Sequence, residues 1–128
     1  MKQGVWKTFD KENRLVKIQN YKNNKLNGTS ISFYDDGFVS SFGNYHDDKP
    51  HGPIILYFSD GLINNYENYL YGIKEGFSYL YFRNGSIQSK WFYKSGKKDG
   101  EQIEFNEQKD TVRIDVFKNG ILLRTEHK

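Results

Sequence analysis

Glycine recurs every 24 residues along this chain, at Gly4, Gly28, Gly52, Gly76 and Gly100. Five residues after each stands an aromatic ring (Phe9, Phe33, Tyr57, Tyr81, Phe105), and seventeen residues after each stands another (Tyr21, Tyr45, Tyr69, Tyr93, Phe117). Three columns in register over five copies define a strict internal repeat. Such a repeat confines the fold to architectures in which one small unit stacks on its neighbour.

Each unit reads as two strands and two turns. The first strand follows the glycine, as in Thr29–Tyr34, Pro53–Phe58 and Phe77–Phe82. Period-two alternation places Ile31 with Phe33, Ile55 with Tyr57, Tyr79 with Tyr81 and Ile103 with Phe105 on one face. The turn within the unit contains Asp36-Gly37, Asp60-Gly61 or Asn84-Gly85, dipeptides that accept the positive φ of tight hairpins. The second strand opens on Leu15, Val39, Ile63 or Ile87. Ile18, Phe42, Tyr66 and Ile114 follow three residues after that column, an odd spacing that calls for a β-bulge or a bent strand, the bulge being favoured. A second turn links the units, with Asn24, Asp48, Gly72, Gly96 and Gly120 in one column. No segment carries a helical stripe. The predicted fold is therefore all-β: one domain over 1–128, an elongated antiparallel meander of about five 24-residue hairpin repeats and ten or eleven strands, with a cap strand at about 121–126. The glycines are read as turn residues. Charges Glu101, Glu104, Arg113 and Asp115 in the last hairpin are expected to protect the sheet edge.

Composition agrees with a thin sheet. Hydrophobic residues make up 36% and aromatics 17%, so rings, which can bury a body and keep a polar tip wet, supply much of the apolar area. No run approaches the roughly 18 apolar residues of a membrane span, Met1–Trp6 lacks the apolar core of a signal peptide, and cysteine is absent; the expected compartment is the cytoplasm. A net charge of +3 does not indicate nucleic acid as a partner. The charge is banded, however: seven basic and two acidic residues over 1–27, two and seven over 28–75, and five and one over 76–99.

Catalytic patterns are missing: there is no cysteine nucleophile, no Gly-x-Ser-x-Gly elbow and no glycine-rich loop opening a helix. No enzymatic activity and no cofactor are expected. His46, Asp47, Asp48 and His51 gather metal-ligating types around one turn, but no third partner at fixed spacing accompanies them; a solvated loop explains them better than a metal. The second face of the first strands is more informative. It is polar at the ends (Trp6, Thr8, Asp10; Gln102, Glu104, Asn106) and apolar in the middle, with Ile54, Leu56 and Phe58, then Ser78, Leu80 and Phe82, bordered by Ser30, Ser32 and Tyr34. Either the ribbon curls over this centre, or the centre is a patch for a partner or a second copy. The acidic middle (Asp35, Asp36, Asp47, Asp48, Asp60, Glu67, Glu75) is either ordinary wet turns or a surface for a basic partner.

The run Tyr45 to Lys49 to Gly52, then Tyr57-Phe58 and Asp60-Gly61, recurs as Tyr93, Gly96, Lys97 and Gly100. This pattern resembles the MORN repeat, and more closely the bacterial variant found in tandem in small proteins; it covers residues 4 to about 120. The chain departs from it at Asn13, Lys109 and the turn of unit five. The resemblance implies a twisted ribbon of hairpins, and bacterial proteins of this variant are described as antitoxin or immunity components. A protein-binding module for a cognate toxin is the expected function, with the apolar and acidic residues above as its contact surface. The alternative is a scaffolding array that self-associates or rests on a membrane through Lys2, Lys7, Lys11, Arg14 and Lys17 at one end and Lys90, Lys94, Lys97 and Lys98 towards the other.

Overall fold

The computed structural model describes residues 1–128 as one open, antiparallel sheet without helices. No helix is long and apolar enough to cross a membrane. Thirteen strands follow one another: β1 (Gly4–Phe9), β2 (Leu15–Lys22), β3 (Lys25–Phe33), β4 (Val39–His46), β5 (Lys49–Tyr57), β6 (Ile63–Leu70), β7 (Ile73–Lys74), β8 (Gly76–Tyr81), β9 (Ile87–Lys94), β10 (Lys97–Lys98), β11 (Gly100–Phe105), β12 (Thr111–Lys118) and β13 (Ile121–His127). Eleven of them lie side by side in chain order; β7 and β10 are short pieces that pair with β6 and β9 just ahead of β8 and β11. The cap strand is thus a full edge strand.

Two turn geometries alternate along the two long margins of the ribbon. Between units, both central residues take positive φ: Asn23 (52°) and Asn24 (68°), Asp47 (46°) and Asp48 (68°), Tyr71 (46°) and Gly72 (86°). Such type I′ turns match the right-handed twist of the flanking strands. Within units, a three-residue loop closes instead. Tyr34 N–H donates to Phe38 O at 2.8 Å and Gly37 N–H to Tyr34 O at 2.9 Å, with Gly37 at φ 93°. The outer units use the same loop. Asn13 (φ 64°) and Lys109 (φ 70°) occupy the glycine position, and Asp10 Oδ1 and Asn106 Oδ1 each accept two backbone N–H groups of their own turn. The departures at Asn13 and Lys109 leave those hairpins as tight as the rest.

The predicted bulge is present in every unit. Ser32 pairs with Ser41 but Phe33 with Val39, so Ser40 is the extra residue; Val16, Asn64, Gln88 and Val112 are its counterparts. This restores Leu15 and Ile18, three apart, to one face. The 24-residue glycine column, in contrast, does not occupy turns. Gly28 (φ 106°) and Gly52 (φ 101°) lie inside β3 and β5, where two extra residues separate the pairs Ser30–Gln19 and Leu26–Tyr21, and likewise Ile54–Gly43 and Pro50–Tyr45. Backbone kinking within a strand, and not reversal of the chain, is what demands glycine there.

A ladder of backbone bonds stitches the inter-unit turns together. The second residue of each turn donates to the unit before it: Asn24 to Lys2 O (3.0 Å), Asp48 to Leu26 O (3.0 Å), Gly72 to Pro50 O (2.7 Å), Gly96 to Lys74 O (2.9 Å) and Gly120 to Lys98 O (2.8 Å). Side chains in the column just before the repeat glycine take the first residue's N–H. Gln3 Oε1 receives Asn23, His51 Nδ1 receives Tyr71, Glu75 Oε2 receives Ser95 and Asp99 Oδ1 receives Asn119.

No second layer covers either face. Only Gly43, Ser78, Ser89, Tyr93 and Gln102 are buried, and all five belong to one face.

Candidate protein-binding surface

The register assembles two unlike faces. Across the first runs a single row, Lys7, Ile18, Ile31, Phe42, Ile55, Tyr66, Tyr79, Lys90, Ile103, Ile114 and Glu126, apolar except at the two lysines and the terminal glutamate. In units three and four this face becomes a ring cluster. Phe77 stacks on Tyr79 (6.0 Å, 25°) and meets Phe92 edge-on at 4.9 Å, Tyr79 neighbours Tyr66 and Tyr81, and Lys90 Nζ lies 4.9 Å from the Phe77 ring. An open cavity of about 330 Å³ lies among Tyr66, Asn68, Phe77, Tyr79 and Tyr81. Burial raises the Tyr81 hydroxyl above its ordinary pKa, and the neighbouring Tyr79 and Tyr66 add to it. The alternation had placed Tyr79 and Tyr81 on this face; the contribution of β6 and β9 needed the register.

The second face carries Ile54, Leu56 and Leu80, as expected, with Phe58 and Phe82 continuing it to the margin of intra-unit turns. Leu56 is 42% exposed. The facing strands, however, put polar groups between them. The row Ser41, Leu56, Asn65, Leu80, Ser89 and Glu104 sets each leucine between polar neighbours. Glu67 accepts from Tyr69 Oη (2.5 Å) and pairs with Lys74 (3.5 Å). Burial raises the Tyr69 pKa above its ordinary value, and the hydrogen bond and charge of Glu67 reinforce this. Glu104 accepts from Trp91 Nε1 at 3.1 Å and from Ser89 Oγ. Both carboxylates are therefore committed to neighbours in the sheet.

The acidic residues do not form one surface. Asp35, Asp36 and Asp60 lie on the intra-unit margin with Tyr34, Phe58 and Phe82, whereas Asp47 and Asp48 lie on the opposite, stitched margin. Several cap turns: Asp36 Oδ1 accepts Phe38 N–H, Asp60 Oδ1 accepts Leu62 N–H, and Asp48 Oδ1 accepts Leu26 N–H at 2.7 Å. Arg83 Nη2 approaches Asp60 Oδ2 at 3.7 Å while its guanidinium covers Phe58 at 4.7 Å, and Tyr34 Oη donates to Tyr57 O of the following unit.

At the other margin His46, His51 and Tyr71 cluster, with His51 stacked on Tyr71 at 4.3 Å. His51 Nδ1 is spent on Tyr71 N–H and Asp48 on Leu26, so these side chains diverge, and no three His, Asp or Glu side chains gather as metal ligands. The basic residues disperse too. Lys90 stands on the first face, Lys98 lies over Trp91 and Phe117 on the second, and Lys94 and Lys97 flank an inter-unit turn. Compared with known proteins, the sequence matches no family model and no curated protein.

Proposed function

We propose that this chain is a non-enzymatic, cytoplasmic protein-binding module that docks a partner protein across the second face of units three and four, and that the partner is a toxin it neutralises. The observation that carries the reading is Leu56, exposed beside Ile54 and Leu80 on a sheet that nothing else in the chain covers. A single-layer array cannot bury such a patch internally, and a rigid antiparallel ribbon presents it without an ordering cost at the moment of binding. Asp35, Asp36 and Asp60 on the adjoining margin would steer a basic surface towards it. The choice of a toxin rests on the resemblance of the repeat to the bacterial MORN variant.

Co-expression with the product of an adjacent reading frame, scored as growth rescue and as a co-purifying complex, tests the reading. Leu56→Asp and Leu80→Asp should abolish rescue while leaving the β circular-dichroism spectrum intact. Full rescue by both variants would place the contact elsewhere. If steering operates, the association rate falls several-fold as salt rises from low to physiological strength.

A further inference from the structure

An open sheet has two free edges, and here they differ. β1 begins at Gly4, kinked at φ 73°, like every first strand of a unit. β13 stands at the place of a unit's first strand, and Arg124 occupies the glycine column, 24 residues after Gly100. No residue of β13 has positive φ, so beyond its one irregularity at Leu122 and Leu123 the strand runs straight to His127. It contains no proline, and Ile121, Leu122 and Leu123 are 67%, 49% and 59% exposed. The charges expected to guard the edge, Glu101, Glu104, Arg113 and Asp115, sit on β11 and β12 inside it.

Which backbone groups of β13 are free follows from one bond. Lys128 N–H donates to Val112 O on the β12 side at 3.1 Å. By alternation Glu126 and Arg124 also turn their N–H and C=O inward, and Thr125 and His127 turn theirs outward. An antiparallel strand can therefore add to β13 with Thr125 at a hydrogen-bonded position.

We propose that β13 pairs with β13 of a second copy about a two-fold axis at Thr125. Side-chain charge selects both the occupant and the register. With Thr125 opposite Thr125, Arg124 of each copy faces Glu126 of the other, giving two opposite-charge pairs, and Leu123 faces His127. Moving the axis to Arg124 or to Glu126 sets like charges directly opposite, which is destabilising. Arg124 Nε and Glu126 Oε1 already lie 3.5 Å apart on one face of the strand, so both heads are at the height the cross-strand pairs need. The contact is isologous and uses up the β13 edge, so the assembly closes as a dimer. Backbone bonds supply most of the attraction, and the dimer is concentration-dependent because one strand pair buries less than a standard interface.

Sedimentation velocity of the full chain across a concentration series tests this. The wild type should shift from monomer to dimer and stop there. Thr125→Pro deletes the outward N–H together with the hydroxyl bound to Asp115, at a position where an edge strand tolerates proline, and should leave a folded monomer by circular dichroism. Thr125→Val loses the hydroxyl bound to Asp115 but keeps the N–H, and should still dimerise. Arg124→Glu should weaken the dimer about tenfold or more, since two cross-strand pairs turn repulsive. The double exchange R124E/E126R should restore it. A wild type that stays monomeric throughout, one that grows past the dimer, or a dimer indifferent to Thr125→Pro and Arg124→Glu would each overturn the proposal.

Discussion

Gly28 shows what one residue is asked to do in this array. Its φ of 106° lies beyond what an L side chain accepts comfortably, and an added Cβ would come 3.3 Å from Asn20 Cβ. Gly28→Ala should cost about 1–2 kcal/mol in urea unfolding, from backbone strain. Lys109 poses the converse problem, an L residue at φ 70° where units two to four have glycine, so Lys109→Gly should stabilise the chain by about 1 kcal/mol. Ionisation adds a pH limit at the same scale. Tyr69 holds its proton more tightly folded than unfolded, because burial and Glu67 both disfavour the phenolate. Its contribution is intact below the ordinary tyrosine pKa and lost as pH climbs from there towards the folded value. The alkaline limb of a pH–stability curve should accordingly flatten in Tyr69→Phe. Asp115 works in the opposite sense, held down by the Thr125 hydroxyl and then by Arg113, so its contribution fades as acid protonates it in the folded state.

Among the elements, the kinked strands are satisfied in two ways. Asn20 Nδ2 donates to Thr29 O at 3.0 Å and Asn68 Nδ2 to Glu75 O at 3.2 Å, each bridging its kink. Where Phe92 replaces that asparagine, Gln102 reaches back from β11: Oε1 accepts Phe92 N–H at 3.0 Å, and Nε2 donates to Phe92 O and Asp99 O at 3.2 Å. Gln102→Leu would take the acceptor away from Phe92 N–H at a site where the Gln102 side chain is 3% exposed, at a cost of about 2 kcal/mol, read from the denaturation midpoint. The bulge in each second strand was legible, because Leu15 and Ile18 cannot share a face without one. The role of the repeat glycines was not. A turn and a strand kink both ask for positive φ, and only pairing tells them apart. The column Gln3, Asn27, His51, Glu75 and Asp99 is visibly polar in every unit, yet four of its side chains serve turns twenty residues onward, a link no local pattern announces.

For the whole molecule, neighbour-to-neighbour pairing predicts graded stability. Amide exchange should be fastest in β1 and β13, each bonded on one side only, and slowest from β4 to β9. The acidic band over 28–75 illustrates how linear charge misleads. Asp35 and Asp47 stand at opposite ends of β4, so residues close in sequence face away from each other across the ribbon. The apolar centre at Ile54, Leu56 and Leu80 was readable from alternation, whereas its dilution by Asn65, Glu67 and Ser89 depended on strands whose register the bulges set. One margin is bound turn to turn by main-chain bonds in every unit, while the other is linked only through side chains such as Tyr34, Arg83 and Asn84. The ribbon consequently has a spine and a fore-edge, like a bound book. Any give falls to the turn tips beside Phe58 and Phe82, while the strand ladder behind them keeps its main-chain bonds and its shape.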